Sequence, residues 1–201
     1  MPEAVIYAGS HRKGGNSDMA AELVAEGVRS AGGSARILHV RAYEVLPCKA
    51  CGFCDKAVGR ELDSRCVLAA EDQAAELFEP LFHAATVFFV SPIYFYHLPS
   101  RFKTWIDRSQ QFWGARMNRE PWIADLPARK AHTVLVAGRP VGERLFEGSQ
   151  LTLKYFARNF NLVQGEHVEV RGMDAPGDLS ADAQWSRIVR DMGACAWREA
   201  V

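Results

Sequence analysis

The stretch PCKACGFCDK, residues 47–56, holds Cys48, Cys51 and Cys54 at a spacing of three in a chain with only five cysteines. Thiols so placed can do three kinds of chemistry. They can form the tight three-ligand half of a [4Fe–4S] binding run, whose fourth ligand is a more distant cysteine; Cys66 is the nearby candidate. They can bind zinc, although structural zinc sites usually come as two separated cysteine pairs. They can also stand as bare thiols or a redox pair. Gly52 relieves crowding around an inorganic core, and Lys49, Asp55 and Lys56 mix the local charge. Cys195 lies in a C-terminal helical pattern and reads as a small buried hydrophobe.

A second chemical stretch follows the first apolar run. In GSHRKGGNS, residues 9–17, Gly9, Gly14 and Gly15 let the backbone turn tightly, and Ser10, Asn16 and Ser17 supply neutral donors. A helix is expected to begin at about Ser17, so its free N–H groups and positive dipole end face the loop. Arg12 and Lys13 add positive charge. The set suits a phosphate. It is not a Walker loop, because Gly15-Asn16 stands where Lys-Ser/Thr belongs, and G-x-G-x-x-G is also missing. The plainer reading is a solvated turn with a helix cap.

A third stretch, SPIYFYHLPSRFKTWIDR, residues 91–108, sets Tyr94, Phe95 and Tyr96 after a strand-ending Pro92. Aromatics there can bed a flat ligand, or they can be ordinary core. His97 alone is weak evidence for an acid catalyst.

The elements that position these residues follow from periodicity. Apolar runs at 3–9, 34–42, 86–92, 131–138 and 162–172 read as strands. Helical patterns are expected at 17–32, with Met19, Leu23, Val24 and Val28 on one face and Ser17 as N-cap, and at 69–85, where Pro80 interrupts. Others are expected at 99–113, 142–160 and 180–200. Residues 43–68, which hold the thiols, read as irregular. Alternating strands and helices imply βαβ units and a doubly wound parallel sheet, with ligands outside the carboxyl ends of its strands. The whole of 1–201 is expected to be a single domain with a cysteine-bearing insertion at about 43–68.

Composition excludes several classes. Lys plus Arg and Asp plus Glu are 24 each, so net charge is zero and no global field favours nucleic acid or an anionic membrane. No apolar run is long enough to span a bilayer, and MPEAVIYAGSHRKGGNS does not read as a signal peptide. The expected compartment is the cytoplasm, where structural disulfides are rare.

GSHRKGGNS resembles the G-S-x-R-x-x-G-N-[ST] loop of the NAD(P)H-dependent FMN reductases. Residues 91–108 resemble that family's S-P-x-Y-x-x-x-x-P-x-x-x-K-x-x-[IL]-D-R segment. The cysteines resemble those of the iron–sulfur flavoproteins, a branch of the same group, although eleven residues separate Cys54 from Cys66 and the branch has a shorter gap. The resemblance implies a flavodoxin-like α/β fold with five parallel strands in the order 2-1-3-4-5 and helices on both faces. It implies that Ser10, Arg12, Gly15, Asn16 and Ser17 hold the phosphate of FMN, that Pro92, Ile93, Tyr94 and Phe95 line its ring, and that Lys103, Asp107 and Arg108 shape the helix behind. Gly138 would permit close approach to the pyrimidine side, and Arg139 would favour a reduced, anionic flavin. Here the chain departs from the family's T/A-G-G-type loop. The implied activity is hydride transfer from NAD(P)H to FMN and onward to a small-molecule or protein acceptor, with Cys48, Cys51, Cys54 and Cys66 as ligands if a [4Fe–4S] cluster is held. A homodimer or homotetramer is implied as well. The rival is an electron carrier that serves a protein partner without nicotinamide oxidation; zero net charge weighs mildly against it, since flavodoxin carriers are strongly acidic.

Overall fold

The computed structural model of the chain describes residues 2–201. Its centre is a sheet of five parallel strands: β1 (Glu3–Ala8), β2 (Ser34–His39), β3 (Thr86–Pro92), β4 (Arg129–Val136) and β5 (Leu162–Val170). Their order is β2-β1-β3-β4-β5, the flavodoxin-like order. A central parallel strand is covered on both faces, so it needs an apolar run rather than alternation; all of β1 beyond Glu3 is buried. Val5 and Tyr7 enter one core with Phe89 and Leu135, while Ala4, Ile6 and Ala8 enter the opposite core with Phe88 and Val134.

The described residues form eight α-helices: α1 (Asn16–Ser30), α2 (Ala74–Phe78), α3 (Ser100–Asp107), α4 (Gln110–Met117), α5 (Pro121–Ala124), α6 (Glu147–Arg158), α7 (Asp178–Ala181) and α8 (Ala183–Ala200). Helices α1 and α8 close one face through Ala20, Leu23, Val24, Val28, Val189, Met192 and Trp197. Leu23, Val24 and Val28 are buried as expected, whereas Met19 is exposed. On the other face an aromatic core stacks Trp105 on Tyr7 at 4.8 Å and sets Phe78 edge-on to Phe112 at 4.7 Å. Much of the aromatic content therefore serves packing.

Several boundaries differ from the periodicity. Helix α1 starts at Asn16 with Gly15 as N-cap and no side-chain cap, not at Ser17. The pattern at 69–85 gives only the short α2, followed by a 3-10 turn at Glu79–Phe82 that carries Pro80. The pattern at 99–113 divides into α3 and α4, because Arg108 turns inward between them and is 2% exposed. Helix α8 begins after Asp182, whose carboxylate accepts from the N–H groups of Gln184 and Trp185. Cys195 is exposed, not buried, because α8 turns Met192, Ala196 and Trp197 inward instead. No described helix is long and apolar enough to cross a membrane.

Candidate functional site: a phosphate-type cleft and a cavity of thiols

The loops that leave the carboxyl ends of β1, β3, β4 and β5 are tied to one another by backbone bonds. Gly9 N–H donates to Val90 C=O at 2.8 Å, Ile93 N–H to Val136 C=O at 2.9 Å, and Ala137 N–H to Val170 C=O at 2.8 Å. They enclose a cleft of about 150 Å³. Ser10, Arg12, Gly15, Asn16 and Ser17 line it from the first loop, Pro92, Ile93 and Tyr94 from the third, and Gly138 from the fourth. The loop after β5, unnoticed in the sequence, adds Met173, Asp174 and Pro176. Its strand, LVQGEHVEV, carries no motif that points to a ligand. A weak signal did exist in the Asp174-Ala-Pro-Gly turn at the edge where ligands bind.

Two glycines are required by close approach. A Cβ at Gly9 would lie 2.2 Å from the Phe102 ring, and one at Gly138 would lie 2.7 Å from Asp174 Oδ1. Ser10 Oγ accepts from Arg12 N–H at 3.1 Å and fixes the first bend. The side chain of Asn16 is fully committed: its Nδ2 donates to Met173 and Ala175 C=O at 3.1 and 2.9 Å, and its Oδ1 accepts from Leu179 N–H at 3.2 Å. Asn16 therefore braces the fifth loop and can offer an anion only its backbone N–H. The first helical bond of α1 is Met19 N–H to Gly15 C=O at 3.0 Å. The amides of Asn16, Ser17 and Asp18 precede it, which is the arrangement that binds anions at helix starts.

Phe95 and Arg139 do not line this cleft. Tyr94 and His97 exchange backbone hydrogen bonds at 2.8 and 3.0 Å around a two-residue turn. Phe95 and Tyr96 occupy its apex at φ of 49° and 63°, positions that favour Asn-Gly. Aromatic residues in this region cost about 1–3 kcal/mol each. Phe95 is fully exposed there, while Tyr96 Oη accepts from Arg139 Nη1 at 3.1 Å. His97 Nε2 lies 3.1 Å from Thr152 Oγ1. His11 meets the Tyr94 ring edge-on, and burial, then the nearby Arg101, lower its pKa. Behind the loop, Lys103 pairs with Asp107 along α3. Arg108 turns instead toward the thiols.

Cys48, Cys51, Cys54 and Cys66 border a single cavity of about 500 Å³ together with Arg108, Gln110 and Gln111. Two ion pairs with buried side chains hold the segment that carries these cysteines. Asp72, buried, accepts from Leu46 N–H at 2.8 Å and pairs with Arg108, which also donates to Leu46 C=O and, at 3.4 Å, to Cys66 Sγ. Further along the segment Glu120 forms a two-pronged pair with Arg65 at 2.9 and 2.6 Å and accepts from Gly59 N–H and Trp122 Nε1. The Arg65 hydrogen bonds hold the Glu120 carboxyl at about 2. Between the clamps the chain is irregular, with Ala50 and Gly52 at φ of 49° and 68°. Cys48 and Cys51 are exposed. Burial, then Asp55, raises the pKa of Cys54. Among the described residues no three Cys, His, Asp or Glu side chains converge closely enough to hold a metal ion.

A family model described as NADPH-dependent FMN reductase matches residues 2–125, more than half of the chain and the whole of loops one and three. The chain belongs to the NADPH-dependent FMN reductase family. A curated relative of this family member, the iron–sulfur flavoprotein of Methanosarcina thermophila, is 32% identical over 101 residues, 50% of this chain and 49% of the relative. The match thus spans about half of that relative's length. Among solved structures, an NAD(P)H:quinone oxidoreductase from Methanothermobacter marburgensis superposes with a TM-score of 0.68 at 17% identity, over 96% of this chain and 93% of that one. An FMN-dependent NADH-azoreductase from Bacillus anthracis, solved with FMN, gives 0.63 at 14% identity with both chains fully covered. At these identities the likeness is one of fold.

Proposed function

We propose that the protein is an FMN-binding oxidoreductase that takes a hydride from NAD(P)H and passes electrons to a further small-molecule or protein acceptor. One observation carries the reading: in a member of the FMN reductase family, Asn16 and Ser17 at the start of α1 line the same cleft as Pro92, Ile93, Tyr94 and Gly138. The residues suit FMN. Ser10, Arg12, Gly15 and Ser17, with the backbone of Asn16, would hold the phosphate. Pro92, Ile93 and Tyr94 would flank the ring, and Phe95 and Arg139 stand outside the cleft as groups that a bound nicotinamide or a second subunit would meet. Bound FMN would supply the redox chemistry, while the chain orients it and sets its electrostatics. The soluble form is proposed to be a cytoplasmic homodimer or homotetramer.

The thiol cavity favours a second reading, a [4Fe–4S] cluster on Cys48, Cys51, Cys54 and Cys66, only in its size and its four donors. The thiols do not converge, and the guanidinium of Arg108 already engages Cys66. The donor set as arranged does not fit a preformed cluster. Steady-state NADPH and NADH oxidation by FMN-loaded protein tests the main reading. Turnover with a quinone or free flavin is expected; FMN-loaded protein that oxidises neither nucleotide would favour the electron carrier.

A further inference from the structure

Directly behind the phosphate-type loop lies a carboxylate that its electrostatics do not explain. Asp18, in the first turn of α1, is 7% exposed. A carboxylate favours a helix start by itself, yet here it stands beside the amides that would receive a phosphate dianion, and like charges repel. Arg41, from the turn after β2, meets it in a two-pronged pair: Nη1 to Oδ1 at 2.8 Å and Nη2 to Oδ2 at 2.7 Å. The same Nη1 donates to Ser10 C=O at 3.2 Å, and Asp18 Oδ2 accepts from Gly14 N–H at 2.8 Å. The pair thus grips the loop at both ends, Ser10 and Gly14. Arg41 is itself seated from α3, since Arg101 Nη1 donates to Arg41 C=O at 3.0 Å and Arg101 N–H donates to His11 Nε2 at 3.1 Å. His39 Nδ1 lies 3.6 Å from the same Asp18 carboxylate.

We propose that Arg41 and Asp18 are positioning residues for the flavin phosphate: the pair shapes the loop, and Arg41 cancels the Asp18 charge that would otherwise repel the phosphate. The inference rests on the FMN reading. It predicts an asymmetry that a purely structural brace would not show. Losing Arg41 leaves a buried, uncompensated carboxylate behind the loop. Losing the Asp18 charge leaves a cation there, which a phosphate tolerates.

The test compares dissociation constants for FMN and for riboflavin, which lacks the phosphate, by flavin fluorescence at pH 8. The proteins are wild type, Arg41→Met, Asp18→Asn, the double variant and Arg41→Lys. Arg41→Met is expected to weaken FMN about tenfold or more, the scale of a charge-assisted contact, with riboflavin changed less than about threefold. Asp18→Asn keeps an oxygen for Gly14 N–H and removes only the charge, so it is expected to leave the FMN-to-riboflavin ratio within about threefold of wild type, and adding it to Arg41→Met to restore most of the FMN-specific loss. Arg41→Lys keeps the charge and should hold the FMN-to-riboflavin ratio near wild type, which also serves where the Met variant fails to fold. Equal losses for the two flavins, an unchanged Arg41→Met, or losses that simply add in the double variant would overturn the proposal. Wild-type protein that binds neither flavin would overturn the FMN reading along with it.

Discussion

The two chemical regions of the molecule are built in opposite ways. In the cleft at the carboxyl edge, three groups of the loop are held by partners: Ser10 by Arg12, Asn16 by the β5–α7 loop and Gly14 by Asp18. The amides at the start of α1 precede its first helical bond, and Asn16 and Ser17 line the opening. The segment that carries the thiols is held as firmly, by buried pairs at Asp72–Arg108 and Arg65–Glu120, but among the described residues the thiols do not converge on a metal ion. A site whose scaffold has already fixed its donors binds without further ordering, whereas a framed but unfilled loop must rearrange before it holds anything. The difference teaches that the flavin reading rests on geometry already present, and any metal reading on geometry still to be formed.

The largest expected effect attacks the frame of the thiol cavity. Asp72→Ala strands the buried Arg108 and releases Leu46, and removal of one partner of a buried pair costs about 3–5 kcal/mol. Denaturant unfolding should show that loss, and the cysteines should become more reactive than in wild type. A variant of wild-type stability would mean that the clamp is ornamental.

Next comes the cleft. Gly9→Ala drives a methyl into the Phe102 ring and should cost about 1–3 kcal/mol, as overpacking of a filled core does, together with most of the FMN affinity. Retained affinity at wild-type stability would break the claim that the cleft is prebuilt.

A third prediction concerns pH. Glu120 is held at about 2, below its usual 4.5, so its pairing contributes stability that is full above about pH 4.5 and is lost as pH falls through about 2. Thermal melts should decline across that window, and in Glu120→Gln the part of the decline due to this group should vanish. His132 acts in an adjacent range: burial, then Lys130, lowers it to about 4, so the neutral form is favoured in the fold and stability falls as pH drops from about 6.5 toward 4. His132→Phe should flatten that upper segment.

The smallest effect is on thiol reactivity. Burial and Asp55 raise the pKa of Cys54, so less of it is thiolate at neutral pH. Mass-spectrometric alkylation kinetics should find it several times slower than the exposed Cys48 and Cys51, and Asp55→Asn should narrow the gap.

Much of this could be read before the structure. The apolar runs of β1 and β3 are buried on both faces, which is why they read as strands without alternation, and the glycines and small polar residues of 9–17 marked the cleft because only such residues allow that approach. Position in the sequence could not say where side chains point. Asn16 looked like a phosphate donor but turns to the β5–α7 loop, Phe95 looked like a ring contact but crowns an exposed turn, and Arg108 looked like a helix residue but crosses to Asp72. Each of these depends on contacts 36 or more residues away in sequence or on a local φ that residue type disfavours. Arg41 carried no motif at all; its role appears only where β2 ends beside α1.

The most direct test of the central claim is a titration of the purified, flavin-stripped protein with FMN, followed by flavin fluorescence and the visible spectrum, with iron assayed on the same sample. The account predicts saturation at one FMN per chain, a resolved flavin spectrum, and binding that needs no iron. Protein that stays colourless and takes up no FMN, with or without iron, would contradict it.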